Sequence, residues 1–325
     1  MSAKKNKSKK KSGSPKKSRQ SNEPARPSGV GAWALAARPK TLAAACSPVV
    51  AALALARADL LFQSREFILF PALCCLMFAI LAQVAANFIN DYADYRKGAD
   101  TSERLGPRRA VASGWITPRA MLVGTFVALG LACLFGLGTL PYGGLKLIWV
   151  GVICCVFCAL YSAGPLPLAY IGLGDVLVVA FFGVVAVCVT YYIQVERVTL
   201  DALLLGVAIG FATDNILVAN NYRDRDEDRA AKKYTLIAIF GERFGRYFYL
   251  VNGLIVATLC SAVFIRRGDW DGLSVGAIVV YLALHLLAWR ELARIRSGKE
   301  LVRVLALSSQ NLLILSVMLA VAFLN

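Results

Sequence analysis

Two short stretches of this 325-residue chain gather carboxylates and amides where an otherwise apolar sequence turns polar. The first runs Asn87-Phe-Ile-Asn-Asp-Tyr-Ala-Asp-Tyr-Arg-Lys-Gly-Ala-Asp100, the second Asn220-Asn-Tyr-Arg-Asp-Arg-Asp-Glu-Asp228. At about 100° per residue, Asn87, Asn90, Asp91 and Asp94 share one helix face. Asn220, Asn221, Asp224 and Asp228 share another, with Asp226 turned away. Carboxylates three or four residues apart repel, the more so where the dielectric is low, so each face calls for a cation. Mg²⁺ takes oxygen ligands, keeps several waters and is commonly held by one or two carboxylates together with substrate phosphates. Two such faces opposite one another suit a diphosphate gripped through divalent ions. Asp91, Asp94, Asp224 and Asp228 are the expected metal ligands and catalytic carboxylates, with Asn87, Asn90, Asn220 and Asn221 orienting them. Solvated charges paired with Arg96, Lys97, Arg223, Arg225 and Arg229 would explain one cluster alone; two clusters, each following an apolar run and each preceded by Asn, weigh against that.

Cations lie close by. Glu103-Arg-Leu-Gly-Pro-Arg-Arg-Ala-Val-Ala-Ser-Gly114 supplies Arg104, Arg108 and Arg109 on a Gly/Pro-punctuated loop, and the arginine fork suits phosphate oxygens. Lys97, Arg223 and Lys232 are further candidate diphosphate contacts; Lys232, four residues past Asp228, could reach the carboxylate or the phosphate. Tyr161, in Tyr161-Ser-Ala-Gly-Pro165, offers a ring face to a cation, although core packing or interface anchoring accounts for it equally well. His285, the one histidine, sits in an apolar run and is not expected to act as a base. The nine cysteines also lie in apolar runs and behave as small hydrophobes. Cys155-x-x-Cys158 lacks a second ligand pair, so no zinc or redox site is expected there.

The elements that carry these residues must span a bilayer. Hydrophobic residues make up 58% of the chain and charged ones 17%, a balance rare in soluble domains of this length. Apolar runs long enough to cross about 30 Å of hydrocarbon fall near 33–56, 67–89, 121–140, 145–162, 176–193, 202–219, 247–265, 273–289 and 304–324. The expected fold is an all-α polytopic membrane bundle of about nine transmembrane helices, occupying residues 29–325. The net charge of +16 reflects topology rather than nucleic acid, which is not an expected partner. When loops are assigned alternately to two sides, all but Arg57, Arg65, Lys146, Arg197, Arg266 and Arg267 of the 36 basic residues fall on the side of the N-terminus. The positive-inside rule then makes that terminus cytoplasmic, in a cell (inner) membrane, with both acidic clusters at the cytoplasmic mouth. Residues 1–28, rich in Lys, Ser, Pro and Gly, cannot bury enough surface to fold and are expected to form a disordered basic tail against the anionic lipid leaflet. A full-length apolar run after so long a tail does not fit a cleaved secretory signal.

Several segments in one order resemble the UbiA-type intramembrane prenyltransferases, most of all the 1,4-dihydroxy-2-naphthoate polyprenyltransferases of menaquinone synthesis. They are Arg38-Pro-Lys-Thr-Leu42; Asn90-Asp-Tyr-Ala-Asp94 with Lys97-Gly98; Arg104-Leu-Gly-Pro-Arg108; Tyr170-Ile-Gly-Leu-Gly-Asp175; and Asn220-Asn-Tyr-Arg-Asp224 with Asp228-Arg229 and Thr235. The resemblance implies a nine-helix bundle, Mg²⁺ dependence, a polyprenyl diphosphate donor and an aromatic acceptor whose carboxylate is lost on prenylation. Tyr161 would shield the allylic cation, and Arg38 and Lys40 either attract an acidic acceptor or snorkel to the interface. Within the family 4-hydroxybenzoate and homogentisate stay open as acceptors. Asp100 is displaced from the family's third aspartate position. Asp214, inside an apolar run, lies outside the pattern, and an intramembrane acid is a functional candidate in its own right. The CDP-alcohol phosphotransferase pattern fails at Tyr95, which follows Asp94. An ion-coupled transporter would place its acids near the bilayer midplane, where only Asp214 lies.

Overall fold

The computed structural model describes residues 27, 29–98, 105–106, 108–162 and 167–325. The basic tail, Asp100 and Arg104 lie outside them. The described chain is all helical: α1 (Gly29–Ala36), α2 (Ala43–Phe62), α3 (Leu69–Lys97), α4 (Pro118–Leu137), α5 (Leu140–Gly143), α6 (Lys146–Ser162), α7 (Gly174–Val178), α8 (Ala186–Val195), α9 (Leu200–Ala230), α10 (Leu236–Arg267), α11 (Gly272–Ile295) and α12 (Val302–Leu324). A π-helical turn, Val179–Val185, joins α7 to α8, so that Gly174–Val195 forms one span. Among the described residues eight helices are long and apolar enough to cross a membrane, and the 17-residue α6 is a shorter apolar one. Together they match the nine apolar runs.

One run divides. The stretch expected to cross from Trp33 to Ala56 is broken at Arg38, whose φ of 52° precedes Pro39. Proline disfavours the α region for the residue before it, and α1 therefore stops short of α2. Elsewhere the ends follow local chemistry. Thr117, Thr199 and Thr235 each accept a backbone N–H three residues on, at 3.2 Å, and so cap α4, α9 and α10. Asp271 and Ser274 form a reciprocal capping box on α11. Gly98, at φ 65°, ends α3 immediately after the first acidic cluster.

The core gathers around α9. Its most apolar window is 72% buried, whereas those of α3 and α4 are 22% buried and leave most of their side chains to lipid. Leu55 and Leu60 of α2, Tyr191 of α8, Leu205 and Ile209 of α9, Phe264 of α10 and Leu315 of α12 close the centre of the bundle. The second cluster thus grows from the most enclosed helix, the first from a peripheral one.

Candidate active site

The first cluster divides its work in a way its spacing did not reveal. Asp91, 2% exposed, accepts the backbone N–H groups of Ala110 (2.9 Å) and Val111 (3.3 Å), one on each carboxylate oxygen. Both oxygens hold the loop before α4, a role its spacing did not show beside the expected one of metal ligand. That loop delivers Arg109, which donates to Asp94 Oδ2 at 3.0 Å and to Asn90 Oδ1 at 3.4 Å. Asn87 also turns from the cluster; its amide donates to Ala37 O (2.9 Å) and Thr41 Oγ1 (3.3 Å), tying α3 to the break between α1 and α2. Asn90 and Asp94 are left as the oxygen donors beside Arg109. Arg108 is exposed on the same loop.

The second cluster sits on the last turns of α9. Asn221, Asp224 and Asp228 are buried there while Asp226 is exposed, as the helical wheel requires. Arg223, 3% exposed, forks onto both oxygens of Asp224 at 2.6 Å and reaches Asn220 Oδ1 at 2.7 Å. It thus braces its own cluster. Arg225 donates to the carbonyls of Tyr222 (2.7 Å) and Arg296 (2.8 Å), and Arg229 donates twice to Ala238 O (3.1 and 2.7 Å), anchoring the helix end to its surroundings. Beyond the helix, Lys232 takes φ 56° and Lys233 N–H closes onto Asp228 O at 2.8 Å. This left-handed stop turns the neighbouring side chain back. Lys233 Nζ meets Asp228 Oδ1 at 3.1 Å while Lys232 points outward, so the cation expected at Lys232 is supplied by Lys233.

Tyr170 joins the two halves. Its hydroxyl donates to Asp94 Oδ1 at 3.4 Å and its carbonyl accepts Tyr234 N–H at 2.9 Å. Lys97 Nζ lies 4.3 Å and Lys233 Nζ 5.9 Å from its ring centroid, so one cation from each acidic helix end flanks a single ring. Lys97 also donates to Ser162 O at 3.1 Å, the end of α6 next to Tyr161. Leu105 N–H donates to Glu227 Oε1 at 3.0 Å, docking the loop after α3 onto α9. Tyr170, Lys97, Lys233 and Glu227 thus bring the two clusters together at one end of the bundle. The sequence carried Tyr170 inside a matching motif but offered no sign of this bridging role, and Lys233 was hidden behind Lys232.

The family profile described as the UbiA prenyltransferase family matches residues 45–323. The chain belongs to the UbiA prenyltransferase family. This UbiA-family chain is 36% identical over 277 residues to a Mycobacterium tuberculosis protein named 1,4-dihydroxy-2-naphthoate octaprenyltransferase, an alignment covering 84% of the chain and 90% of that protein. An Escherichia coli protein of the same name is 32% identical over 74% of the chain and 80% of its own length. In fold it is similar to a UbiA homolog from Aeropyrum pernix (TM-score 0.66, 15% identity, 86% of the chain and 97% of that structure). It is likewise similar to a UbiA homolog from Archaeoglobus fulgidus bound to GPP and Mg²⁺ (TM-score 0.61, 15% identity, 90% and 98%). The bundle is a membrane prenyltransferase fold.

Proposed function

We propose that the enzyme transfers a polyprenyl group from a polyprenyl diphosphate to 1,4-dihydroxy-2-naphthoate, with loss of the carboxylate, in menaquinone biosynthesis. The names of its relatives support the acceptor, and one observation carries the chemistry: Lys97 and Lys233, from the two acidic helix ends, flank the same Tyr170 ring.

The donor set fits Mg²⁺. It is all oxygen, comprising Asn90 and Asp94 on α3 and Asn220, Asp224 and Asp228 on α9. Among the described residues no three acidic, His or Cys side chains form a cage sufficient for a metal by themselves. That suits an ion held by one or two carboxylates with substrate phosphates. Bound there, Mg²⁺ would supply Lewis-acid stabilisation of the departing diphosphate.

The remaining work falls to the chain. Arg109, Lys97 and Lys233 are already paired with carboxylates or carbonyls, and exchange those partners for diphosphate oxygens when the anion arrives. Asp91 keeps the Arg109 loop seated meanwhile. Arg223 holds Asp224 in place, and the aromatic faces of Tyr161 and Tyr170 border the carbon that becomes cationic. The isoprenoid tail lies among the lipid-facing helices. Positive-inside charge supports a cytoplasmic N-terminus in the inner membrane, with the site at the cytoplasmic face.

The test supplies enzyme-containing membranes with polyprenyl diphosphate and a panel of 1,4-dihydroxy-2-naphthoate, 4-hydroxybenzoate and homogentisate, with and without chelator. Naphthoate-dependent product that chelator abolishes and Mg²⁺ restores is the expected result. Preference for another ring overturns the acceptor assignment, and product that survives chelation overturns the metal site.

A further inference from the structure

The mechanism above leaves two buried acids unused. Asp175 opens α7 and Asp214 lies midway along α9, 4% and 0% exposed. From α10 the Asn252 amide donates to Asp214 Oδ2 at 2.9 Å. Oδ1 of each acid is buried and meets no hydrogen-bond partner among the described residues. Two carboxylates facing one another away from water cannot both stay charged, so the pair requires a proton between them.

Packing, not mutual attraction, enforces the approach. A Cβ on Gly183, in the π-helical turn, would lie 2.4 Å from the Gly206 carbonyl oxygen, and one on Gly210 would lie 2.8 Å from that of Val179. No side chain fits at either glycine, and a Cβ on Gly174 would lie 3.5 Å from Leu217 Cδ2, so the crossing of Val179 with Gly210 and of Gly174 with Leu217 brackets Asp175 and Asp214 opposite one another. Tyr161 connects the pair to the reaction space. A Cβ on Gly174, next to Asp175, would lie 3.5 Å from the Tyr161 hydroxyl. Lys97 of α3 donates to the carbonyl of Ser162, the next residue, at 3.1 Å, which sets the same tyrosine beside the first acidic cluster.

We propose that Asp175 and Asp214 hold one proton between them and, through the Tyr161 hydroxyl, take up the acceptor's phenolic proton during prenylation and return it afterwards. The inference deepens the functional reading above and rests on it. As the allylic carbon–oxygen bond breaks, its electron pair leaves with the diphosphate, and the ring supplies the pair for the new carbon–carbon bond. The hydroxyl beside the ring carboxylate becomes a ketone and gives its proton to the Tyr161 relay, which turns the singly protonated pair into two neutral acids. The carboxylate, now β to that ketone, leaves as CO₂. Its electrons restore the aromatic ring, and the pair returns the proton to the oxygen. No proton is gained or lost overall. Asp175 and Asp214 act here as positioning residues and a proton store; Tyr161 is the group that touches the acceptor.

The experiment compares full-length wild type with Asp214→Asn, Asp175→Asn and Tyr161→Phe in lipid nanodiscs, by steady-state kinetics and by infrared spectroscopy of the carboxylic-acid C=O stretch. In wild type without substrate a protonated-carboxyl band is expected, and either Asn variant removes it. All three variants lower kcat by about 10²- to 10⁴-fold, the range of a lost proton-transfer group, while KM for the donor and the Mg²⁺ requirement stay at wild-type values. Tyr161→Phe keeps the ring and its packing, so a purely structural or cation-shielding role predicts little change in it. Wild-type kcat in Tyr161→Phe, absence of the band in wild type, or parallel loss of donor affinity and kcat overturns the proposal. Should the Asn variants fail to fold, the wild-type band and Tyr161→Phe still decide it. Failure of the functional reading is separate: wild-type enzyme would then make no product from the naphthoate.

Discussion

Asp91→Asn separates loop anchoring from metal binding more sharply than any alanine scan. The Asp91 carboxylate accepts two backbone N–H groups, from Ala110 and Val111, at 2.9 and 3.3 Å. An asparagine of the same shape accepts one and sets its own NH₂ against the other, which leaves a buried donor unsatisfied. The cost is about 1–3 kcal/mol, and at tenfold per 1.4 kcal/mol the seated loop becomes about 5- to 150-fold less populated. Arg109 leaves Asp94 and Asn90 together with that loop. Donor KM is therefore expected to rise and kcat/KM to fall by up to that factor. The Mg²⁺ concentration for half-maximal activity should stay at the wild-type value, because Asn90, Asp94, Asp224 and Asp228 are untouched. Asp94→Asn, by contrast, should raise the Mg²⁺ requirement. Titrating Mg²⁺ at several donor concentrations, with the purified enzyme in nanodiscs, reads both quantities. If Asp91→Asn shifts the Mg²⁺ requirement as far as Asp94→Asn does, Asp91 is a ligand and the reasoning fails.

Lys233→Ala is expected to weaken donor binding measurably, since it removes the cation 3.1 Å from Asp228, whereas Lys232→Ala, an exposed change, should leave donor KM within about twofold; equal effects in the two variants would contradict the assignment. Gly183→Ala forces a methyl against the Gly206 carbonyl, and the crossing of the Gly174–Val195 span with α9 should lose about 1–3 kcal/mol or more, seen as a lowered thermal midpoint in detergent, while Gly276→Ala, which meets nothing within 4 Å, should not change it.

Much of this protein was legible in its residues. Apolar run length placed the spans, because hydrocarbon thickness sets helix length irrespective of partners. Helical periodicity put Asn221, Asp224 and Asp228 on one face and Asp226 on the other, since that follows from 3.6 residues per turn alone. Roles that depend on a second segment did not show. Asp91 and Asp94 are alike in the sequence, and the amides of Ala110 and Val111 separate them only once the loop folds back. Lys232 is the better helical match to Asp228, yet the left-handed turn at Lys232 hands the pairing to Lys233. The union of the two clusters at Tyr170, and the meeting of Asp175 with Asp214 across a glycine-lined crossing, depend on groups brought together by helix packing. Sequence determined what each helix can offer; tertiary structure decided which offers meet, because hydrogen bonds and ion pairs are set by distances of about 3 Å that no one-dimensional spacing specifies between separate helices.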